Sequence, residues 1–343
     1  MSGKTLRIVL LCLRGPLYGH RGGIWKKTMR YAPLTLTTLA SLVPPEIPAD
    51  VRIIDEGVEE IHPDRIDADL VGITAITGTA PRAYEISAQL RQRGIPVVLG
   101  GVHPTLMPDE AVQHADSTVV GYAEESWPQL LRDFVAGRMQ RRYDQSPNLK
   151  LANLPFPKRE LYASGLVNIA HTIEATRGCI YQCEFCVVPS AWGKPLQKPV
   201  ADVIADIRHM RAKRVIFLDL NLIADIAYAK ELFTALIPLG IQWGGLATTT
   251  IAWDDELLDL AARSGCRGLL VGRRPSTCGA TTTKSSARSG SARSRSWVVS
   301  SSGSITTRSM RFRRPSTSFS TRTWICRATR SRCRFRAPRS TSA

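Results

Sequence analysis

Three cysteines lie close together in the middle of the chain, in the stretch Thr176-Arg-Gly-Cys179-Ile-Tyr-Gln-Cys183-Glu-Phe-Cys186. Their spacing is CxxxCxxC, and the apolar run just before them predicts a strand. Three thiolates on one loop can bind three irons of a 4Fe–4S cluster and leave the fourth iron without a protein ligand. An open metal position is a place where a small molecule can bind and react. The spacing therefore predicts a reactive iron–sulfur site.

Two other interpretations of these cysteines are open. Zinc prefers paired CxxC elements and a fourth ligand, and the nearest candidate, His171, lies ahead of the loop. Buried structural cysteines would leave unexplained why three occur within eight residues, beside Arg177 and Gly178. Ligand spacing of this kind is specific, so the cluster is the favoured interpretation.

The elements around the cysteines alternate between strands and helices. Predicted strands cover 169–175, 215–220, 241–248 and 266–271, and predicted helices cover 200–213, 227–239 and 254–264. This is the βα pattern of a barrel, and it stops after four strands. We therefore predict a partial barrel over residues 166–272, with the cysteine loop after its first strand.

The N-terminal half has a βα pattern of its own. Predicted strands cover 6–13, 51–54, 69–74, 96–100 and 117–121, and predicted helices cover 33–43, 80–93, 109–114 and 124–136. Short apolar strands that alternate with helices indicate a parallel, doubly wound α/β sheet. We predict this domain over residues 1–140, joined to the barrel by a polar, proline-containing linker over residues 141–165.

The ends of the N-terminal strands carry candidate ligand-binding residues, since ligands of such sheets bind beyond the carboxyl ends of the strands. These candidates are Arg14, Thr74, Thr77, Gly78, Gly100, Gly101, Gly121 and Tyr122. Glycines there allow a large flat or phosphate-bearing ligand to approach the backbone. For any single glycine a tight βα turn is the better explanation, but four such strand ends together favour a ligand site. The spacing does not match GxGxxG, which argues against NAD.

The cysteine motif, with Phe185 before its last cysteine, resembles that of the radical S-adenosylmethionine (SAM) superfamily. The resemblance implies that the amino and carboxylate groups of SAM bind the open iron. It also implies that an electron from the cluster cleaves the sulfonium, which gives a 5′-deoxyadenosyl radical. The adenine would meet the backbone near Phe185, the methionyl end would meet Asp219 or Asn221 on the second strand, and Gly244 would face the cofactor. For Asp219, a helix cap or a turn is an equal alternative.

Residues 1–272 as a whole resemble the cobalamin-binding branch of this superfamily, which includes the oxidative cyclase of magnesium-protoporphyrin monomethyl ester and related methyltransferases. The matching stretches are Arg14-Gly-Pro16, Tyr31-Ala-Pro-Leu34, Gly72-Ile-Thr74, Gly100-Gly-Val-His-Pro104 and Gly121-Tyr-Ala-Glu124. The resemblance implies that cobalamin binds at the C-terminal edge of the N-terminal sheet. The chain has no DxHxxG loop to supply a lower axial histidine, and His103 is better explained as a turn residue.

The net charge of the chain comes entirely from its last 71 residues. Residues 273–343 contain 16 Arg, one Lys and no acidic residue, whereas the rest of the chain has 29 basic and 29 acidic residues. The same segment has 18 Ser and 11 Thr but no Leu, Tyr, Asn, Gln or His. A disordered basic tail or a nucleic-acid arm would have such a charge.

A third interpretation is that this tail is out of frame. Related sequences continue Leu-Leu-Val-Gly with a Phe-Glu-Ser-type stretch, whereas this chain continues with Arg273-Arg-Pro-Ser276. One DNA sequence for Trp324 to Arg330 reads Leu-Asp-Leu-Pro-Arg-Tyr-Ser when started one base earlier, which resembles a later strand of the same family. We favour a one-base frameshift near codon 272, which sequencing of the gene there would test. As written, the barrel lacks its fifth and sixth strands, and turnover is doubtful.

The resemblance implies a small-molecule substrate, which is either methylated or oxidatively cyclised, and an electron donor such as flavodoxin or ferredoxin. A radical methylthiotransferase acting on RNA is the alternative enzyme, but such enzymes carry a second cysteine trio where this chain has only Cys12. A non-catalytic, basic nucleic-acid-binding remnant is the third hypothesis, but nucleic acid is not the partner that we expect.

Composition excludes several other classes of protein. No apolar run reaches the roughly 18 residues of a membrane helix. The N-terminus lacks a secretory cleavage site, and eight cysteines in 343 residues are too few for a disulfide scaffold. We therefore expect a cytoplasmic enzyme of two domains.

Overall fold

A computed structural model describes residues 5–15, 34–57, 59–162, 171–272, 297–299 and 305–307. The chain divides into two compact units, residues 1–216 and residues 217–343. In the described ranges, no helix combines the length and the apolar character that a membrane span requires. The boundary between the two units, after residue 216, falls later than the predicted linker at 141–165.

The first unit contains a six-stranded parallel sheet. Its strands are β1 (Leu6–Cys12), β2 (Ala49–Asp55), β3 (Leu70–Thr74), β4 (Val97–Gly100), β5 (Ser117–Val120) and β6 (Arg142–Asp144). Their order is β2-β1-β3-β4-β5-β6, and each neighbouring pair is parallel. Successive strands are added on one side of β1 up to β2 and on its other side from β3 onward. This change of side, between β1 and β3, is where ligands bind in sheets of this order.

Helices cover both faces of this sheet. They are α1 (Leu34–Ser41), α2 (Ala80–Gln92), α3 (Val102–Leu106), α4 (Pro108–Ala111) and α5 (Ser126–Val135). Val9 and Leu11 of β1 share a core with α2, whereas Ile8 and Leu10 share a core with α1 and α5. Because successive side chains of a strand point to opposite faces, this division confirms the doubly wound sheet.

The predicted linker is in part a sheet strand, since it contains β6. Only Tyr143 of this three-residue strand is buried, so the sequence has no apolar run to mark it. Farther along, Arg159 donates to both carboxylate oxygens of Asp206 at 2.7 and 2.8 Å, and the Tyr162 hydroxyl donates to Asp55 at 2.7 Å. The described part of this segment, residues 141–162, therefore packs against the rest of the first unit, and we call it the strap.

The partial barrel follows. Its strands are β7 (His171–Ile173), β8 (Thr176–Arg177), β9 (Leu196–Gln197), β10 (Arg214–Phe217), β11 (Gln242–Thr248) and β12 (Cys266–Gly272), and its helices are α6 (Val188–Trp192), α7 (Val200–Met210), α8 (Ile226–Leu236) and α9 (Asp255–Arg263). One four-stranded sheet has the order β12-β11-β10-β7. These four are the strands that the sequence predicts, whereas α6, β8 and β9 are too short to show a period.

Three aromatic rings pack together in the core of the second unit. The Trp243 ring lies 5.5 Å from Phe217 and 4.9 Å from Phe233 between centroids, and its indole donates to Ser264 at 3.1 Å. Gly265 precedes β12 with a φ of +91°, and a Cβ there would lie 2.0 Å from the Ile241 carbonyl oxygen. Only glycine fits this close approach.

Little of the Arg/Ser/Thr-rich tail lies within the described residues. Its described parts are β13 (Trp297–Val299) and β14 (Ile305–Thr307), which pair antiparallel. The expectation of a disordered or out-of-frame tail otherwise concerns residues outside the described ranges.

Candidate functional site

The predicted ligand residues of the first unit lie along one edge of its sheet. Cys12 of β1 pairs in register with Thr74 of β3, and Thr74 pairs with Gly100 of β4. The Thr77–Thr79 turn follows β3 directly, and Gly121 follows β5. Arg14, Thr77 and Gly78 are exposed, and the other five candidates are partly buried. The parallel sheet therefore brings all eight candidates to its C-terminal edge.

Two glycines at this edge are explained by the fold itself. Gly101 has a φ of +100°, and a Cβ would lie 2.8 Å from both the Ala75 carbonyl and the Thr74 hydroxyl oxygen. Gly121 has a φ of +82°, and a Cβ would lie 2.6 Å from the Gln145 side chain. Their predicted contact with a ligand stays a prediction, because these close approaches already require glycine.

His103 lies under the same edge and is only 6% exposed. Its Nε2 lies 2.9 Å from the Tyr84 hydroxyl, which donates to Glu110 at 2.9 Å. Its Nδ1 lies 3.4 Å from the Thr77 hydroxyl. Both ring nitrogens thus have partners within the chain, which disfavours His103 as an axial ligand.

A two-stranded ribbon holds the ends of the cysteine loop. Thr176 of β8 pairs with Gln197 of β9, and Arg177 pairs with Leu196, in antiparallel register. Gly178 has a φ of +77°, and a Cβ there would lie 3.3 Å from Cα of Pro195. The two ends of the loop formed by residues 178–195 therefore lie next to each other.

The three cysteines of this loop are free thiols and partly exposed. Within the described ranges, no three His, Cys, Asp or Glu side chains form a group that could hold a metal ion. The cluster therefore stays a prediction from spacing. Phe185 is 85% exposed, and Ile180 and Val187 are 51% exposed. An apolar surface of this kind on one short loop is available to be covered by a ligand.

Arg177, at the start of the loop, is nearly buried between acidic side chains. Its guanidinium lies 2.5 Å from Glu124 and 2.7 Å from Glu174, and Lys198 lies 3.7 Å from Glu174. Burial lowers the pKa of Arg177, but the two carboxylates outweigh burial and raise the pKa overall. The network has two charges of each sign, so Arg177 stays a cation in a balanced site.

Tyr122, a predicted ligand residue, lies against this network. Its ring stacks on Trp192 with 4.6 Å between centroids, and the Arg177 guanidinium carbon lies 4.7 Å from its centroid. Burial and the charges of Glu174 and Glu124 raise the pKa of Tyr122, while Arg177 opposes them. Sequence reasoning missed Glu174 and Trp192 and quoted Glu124 only as part of a matching stretch. The one feature of the sequence that could have indicated acidic partners is Arg177, next to the cysteine motif.

In the second unit, Asp219 and Asn221 follow β10 and are each 1% exposed. β10 ends at Phe217, so both residues lie beyond the strand, whereas the sequence predicts a strand to 220. The side-chain nitrogen and oxygen of Asn221 are buried, and neither hydrogen-bonds to the described chain. Buried amides rarely lack partners, so an absent ligand or water is the expected partner. The cap of α8 is Asp225, which accepts from the Tyr228 backbone, so the helix-cap alternative for Asp219 is wrong.

Gly244 lies on β11, and a Cβ there would lie 3.2 Å from the Gly268 carbonyl oxygen. The Leu222 backbone, next to Asn221, donates to Leu246 of β11 at 3.1 Å. This bond ties the Asn221 segment to the strand that carries Gly244.

Comparison with known proteins adds to this geometry. The B12 binding domain family matches residues 45–131. A bacteriochlorophyllide d C-12(1)-methyltransferase from Chlorobaculum tepidum is 32% identical over 258 residues, which are 70% of this chain and 55% of that protein. The C-8(2)-methyltransferase of the same organism is 40% identical over 168 residues, which are 47% of this chain and 37% of that protein.

A solved structure shares the fold. The radical SAM methyltransferase TsrM from Kitasatospora setae matches 78% of this chain and 59% of its own, with a TM-score of 0.61 and 20% identity. These matches support the predicted resemblance to cobalamin-binding radical SAM proteins. The chain spans about half the length of the first of these curated relatives and less of the second.

Cys12 at the end of β1 gives a prediction about thiol reactivity. Burial, with the charges of Asp55 and Glu56, raises the pKa of Cys12 to about 12. Only the thiolate is alkylated, so at pH 8 roughly one Cys12 in ten thousand is reactive. We expect iodoacetamide at pH 8 to leave Cys12 unmodified in folded apoprotein and to label it in urea, as mass spectrometry of the tryptic peptide would report. Rapid labelling of folded protein would contradict this environment.

Proposed function

We propose that this chain supplies the cofactor-binding part of a cobalamin-dependent radical SAM methyltransferase. The observation that carries the proposal is the arrangement inside the first unit, where a B12-binding sheet edge contacts the loop with CxxxCxxC spacing. We propose residues 1–140 as the cobalamin domain and residues 166–272 as the radical SAM part, with the strap between them.

Cys179, Cys183 and Cys186 would hold a 4Fe–4S cluster. Their free thiols and their spacing on one loop support this assignment. When bound, such a cluster delivers one electron to SAM. The chain's own contribution is the ribbon of β8 and β9, which anchors both ends of the ligating loop.

Asn221, Asp219, Gly244 and Phe185 would contact SAM. The support from the second unit is the buried Asn221 amide, which can donate to a carboxylate and accept from an amino or hydroxyl group. A Cβ at Gly244 would lie 3.2 Å from the Gly268 carbonyl oxygen, so the assignment of Gly244 to SAM rests on the resemblance alone. In the first unit, the exposed Phe185 supports an apolar contact with an adenine ring.

Cobalamin would lie at the C-terminal edge of the six-stranded sheet, near Arg14, Thr74, Thr77, Gly78, Gly100, Gly101, Gly121 and Tyr122. Cobalamin supplies a cobalt that carries methyl groups. Both ring nitrogens of His103 have partners within the chain, so this histidine would not be the residue that holds the cobalt. The hydrogen-bonded chain from Glu110 through Tyr84 and His103 to Thr77 would fix the Thr77 hydroxyl at this edge.

We propose methyl transfer in preference to oxidative cyclisation. The two Chlorobaculum relatives are named as methyltransferases of bacteriochlorophyllide d. We therefore propose a substrate of the same class, a chlorin-type tetrapyrrole methylated at a peripheral carbon. Flavodoxin or ferredoxin would supply the electrons.

Turnover of the chain as written is doubtful, so the test uses the protein translated in the restored frame after codon 272, reconstituted anaerobically with iron, sulfide and hydroxocobalamin. It is incubated with a chemical reductant, SAM carrying a ¹³C-methyl group, and bacteriochlorophyllide d. We expect a tetrapyrrole product heavier by one labelled methylene unit, and none with a Cys183→Ala variant. A product that has lost hydrogen without gaining the label would contradict methylation and support the cyclase. SAM cleavage with an unchanged tetrapyrrole would contradict the substrate class.

A further inference from the structure

Glu124 connects the sheet edge to the cysteine loop within the first unit. It follows β5 at the proposed cobalamin edge, and its Oε1 lies 2.5 Å from the guanidinium of Arg177, two residues before Cys179. The side chains of Glu124 and Arg177 are only 4% and 9% exposed. A buried pair in a low-dielectric site tolerates separation poorly, because each charge would be left without a partner.

Aromatic rings reinforce the same contact. Tyr122, two residues before Glu124, lies against Arg177 at one end of the loop and stacks on Trp192 at the other. The Tyr122 and Trp192 rings are nearly parallel, with 6° between their planes. One short stretch after β5 therefore contacts residues on both sides of the three cysteines.

The second oxygen of Glu124 has no such partner. Oε2 is buried and hydrogen-bonds to nothing in the described chain. A buried carboxylate oxygen without a donor is costly, so a donor from outside the chain is expected. Corrinoids carry peripheral carboxamides, whose N–H groups are suitable donors.

We propose that Glu124 is a positioning residue that couples corrinoid binding at the sheet edge to the order of the cysteine loop. Oε2 accepts from a corrinoid carboxamide while Oε1 holds Arg177, so the occupied edge fixes residues 178–195. By linkage, the factor by which an ordered loop raises corrinoid affinity equals the factor by which bound corrinoid favours the ordered loop. The inference rests on the proposed binding of cobalamin at this edge.

The test is hydrogen–deuterium exchange of peptides from 178–195, in full-length apoprotein without iron, with and without hydroxocobalamin. Absorbance titration of the same samples measures corrinoid affinity. We expect exchange in wild-type protein to slow by roughly fivefold or more on corrinoid binding, within the range of ordinary coupling energies. Glu124→Gln should lose this response and bind the corrinoid more weakly. Arg177→Lys, which keeps the charge, should retain part of the response.

The matched control is Glu46→Gln, which removes one partner of the exposed Arg132–Glu46 pair at 2.7 Å. This control should respond as wild type does. If circular dichroism shows that Glu124→Gln is unfolded, Trp192→Leu is the second variant. It removes the stack on Tyr122 without changing any charge, and it should weaken the response. A full response in Glu124→Gln, or bound corrinoid without slower exchange in wild type, would overturn the inference. Absence of corrinoid binding in wild type would instead overturn the cobalamin part of the proposed function.

Discussion

Cys183→Ala should reduce the iron of the anaerobically reconstituted protein from about four atoms per chain to background. The loop supplies three thiolates to the proposed cluster, and loss of one leaves two irons without protein ligands. Two adjacent irons without ligands are open to water and chelators, so the cluster should not survive desalting. Iron analysis and the charge-transfer absorption of a Cys-ligated cluster would both report the loss.

The matched control for this prediction is Cys12→Ala, the same substitution at a cysteine on β1 that is not part of the loop. Cys12 is largely buried and its raised pKa keeps it protonated, so it makes a poor iron ligand. We expect Cys12→Ala to keep its iron. Full iron content in Cys183→Ala would remove the cluster assignment and, with it, the radical chemistry proposed here.

Arg177→Met should destabilise the first unit by about 3–5 kcal/mol, the usual cost of leaving one partner of a buried ion pair alone. Methionine fills a similar volume, so the cost comes mainly from Glu124 and Glu174, which lose their cation while Lys198 compensates in part. With ordinary urea sensitivities, the midpoint should fall by roughly 1–3 M. Urea unfolding followed by circular dichroism measures this shift.

Arg132→Met is the control for this prediction, because Arg132 and Glu46 pair at a similar distance but are 46% and 53% exposed. Surface pairs of this kind contribute about 0–1 kcal/mol, so the midpoint should barely move. The double variant Arg177→Met with Glu124→Gln should recover part of the lost stability, since the uncompensated carboxylate is gone. Equal urea midpoints for the Arg177→Met and Arg132→Met variants would contradict the prediction, because the buried Arg177 network would then stabilise the protein no more than an exposed pair.

Much of the fold follows from local patterns in the sequence. The apolar strands, and glycines such as Gly94 with a φ of +75° after α2, are local signals, so nine predicted strands are present within a few residues of their predicted bounds. Parallel strands share one carboxyl edge, and for this reason the eight ligand candidates could be predicted to lie together. β6, β8, β9 and α6 have two to five residues each, too few for a period to be visible.

The contact between the two halves of the first unit could not be predicted in this way. Arg177 and Glu124 are brought together only by the packing of the barrel start against the sheet edge, and no local pattern encodes such a distant pair. The orphaned amide of Asn221 is likewise a property of burial, although the resemblance did point to the residue. Sequence patterns thus predicted which stretches carry the site, and packing decides which side chains meet.

The ribbon of β8 and β9 also bears on when iron is acquired. Because β8 and β9 already join the two ends of residues 178–195, the entropy of closing that loop is lost when the protein folds and not when metal binds. Metal binding then has to order only the interior of the loop, and removing the metal leaves the ribbon's own hydrogen bonds in place. The fold would therefore allow the proposed cluster to be inserted, lost and rebuilt as a late step on an already folded chain.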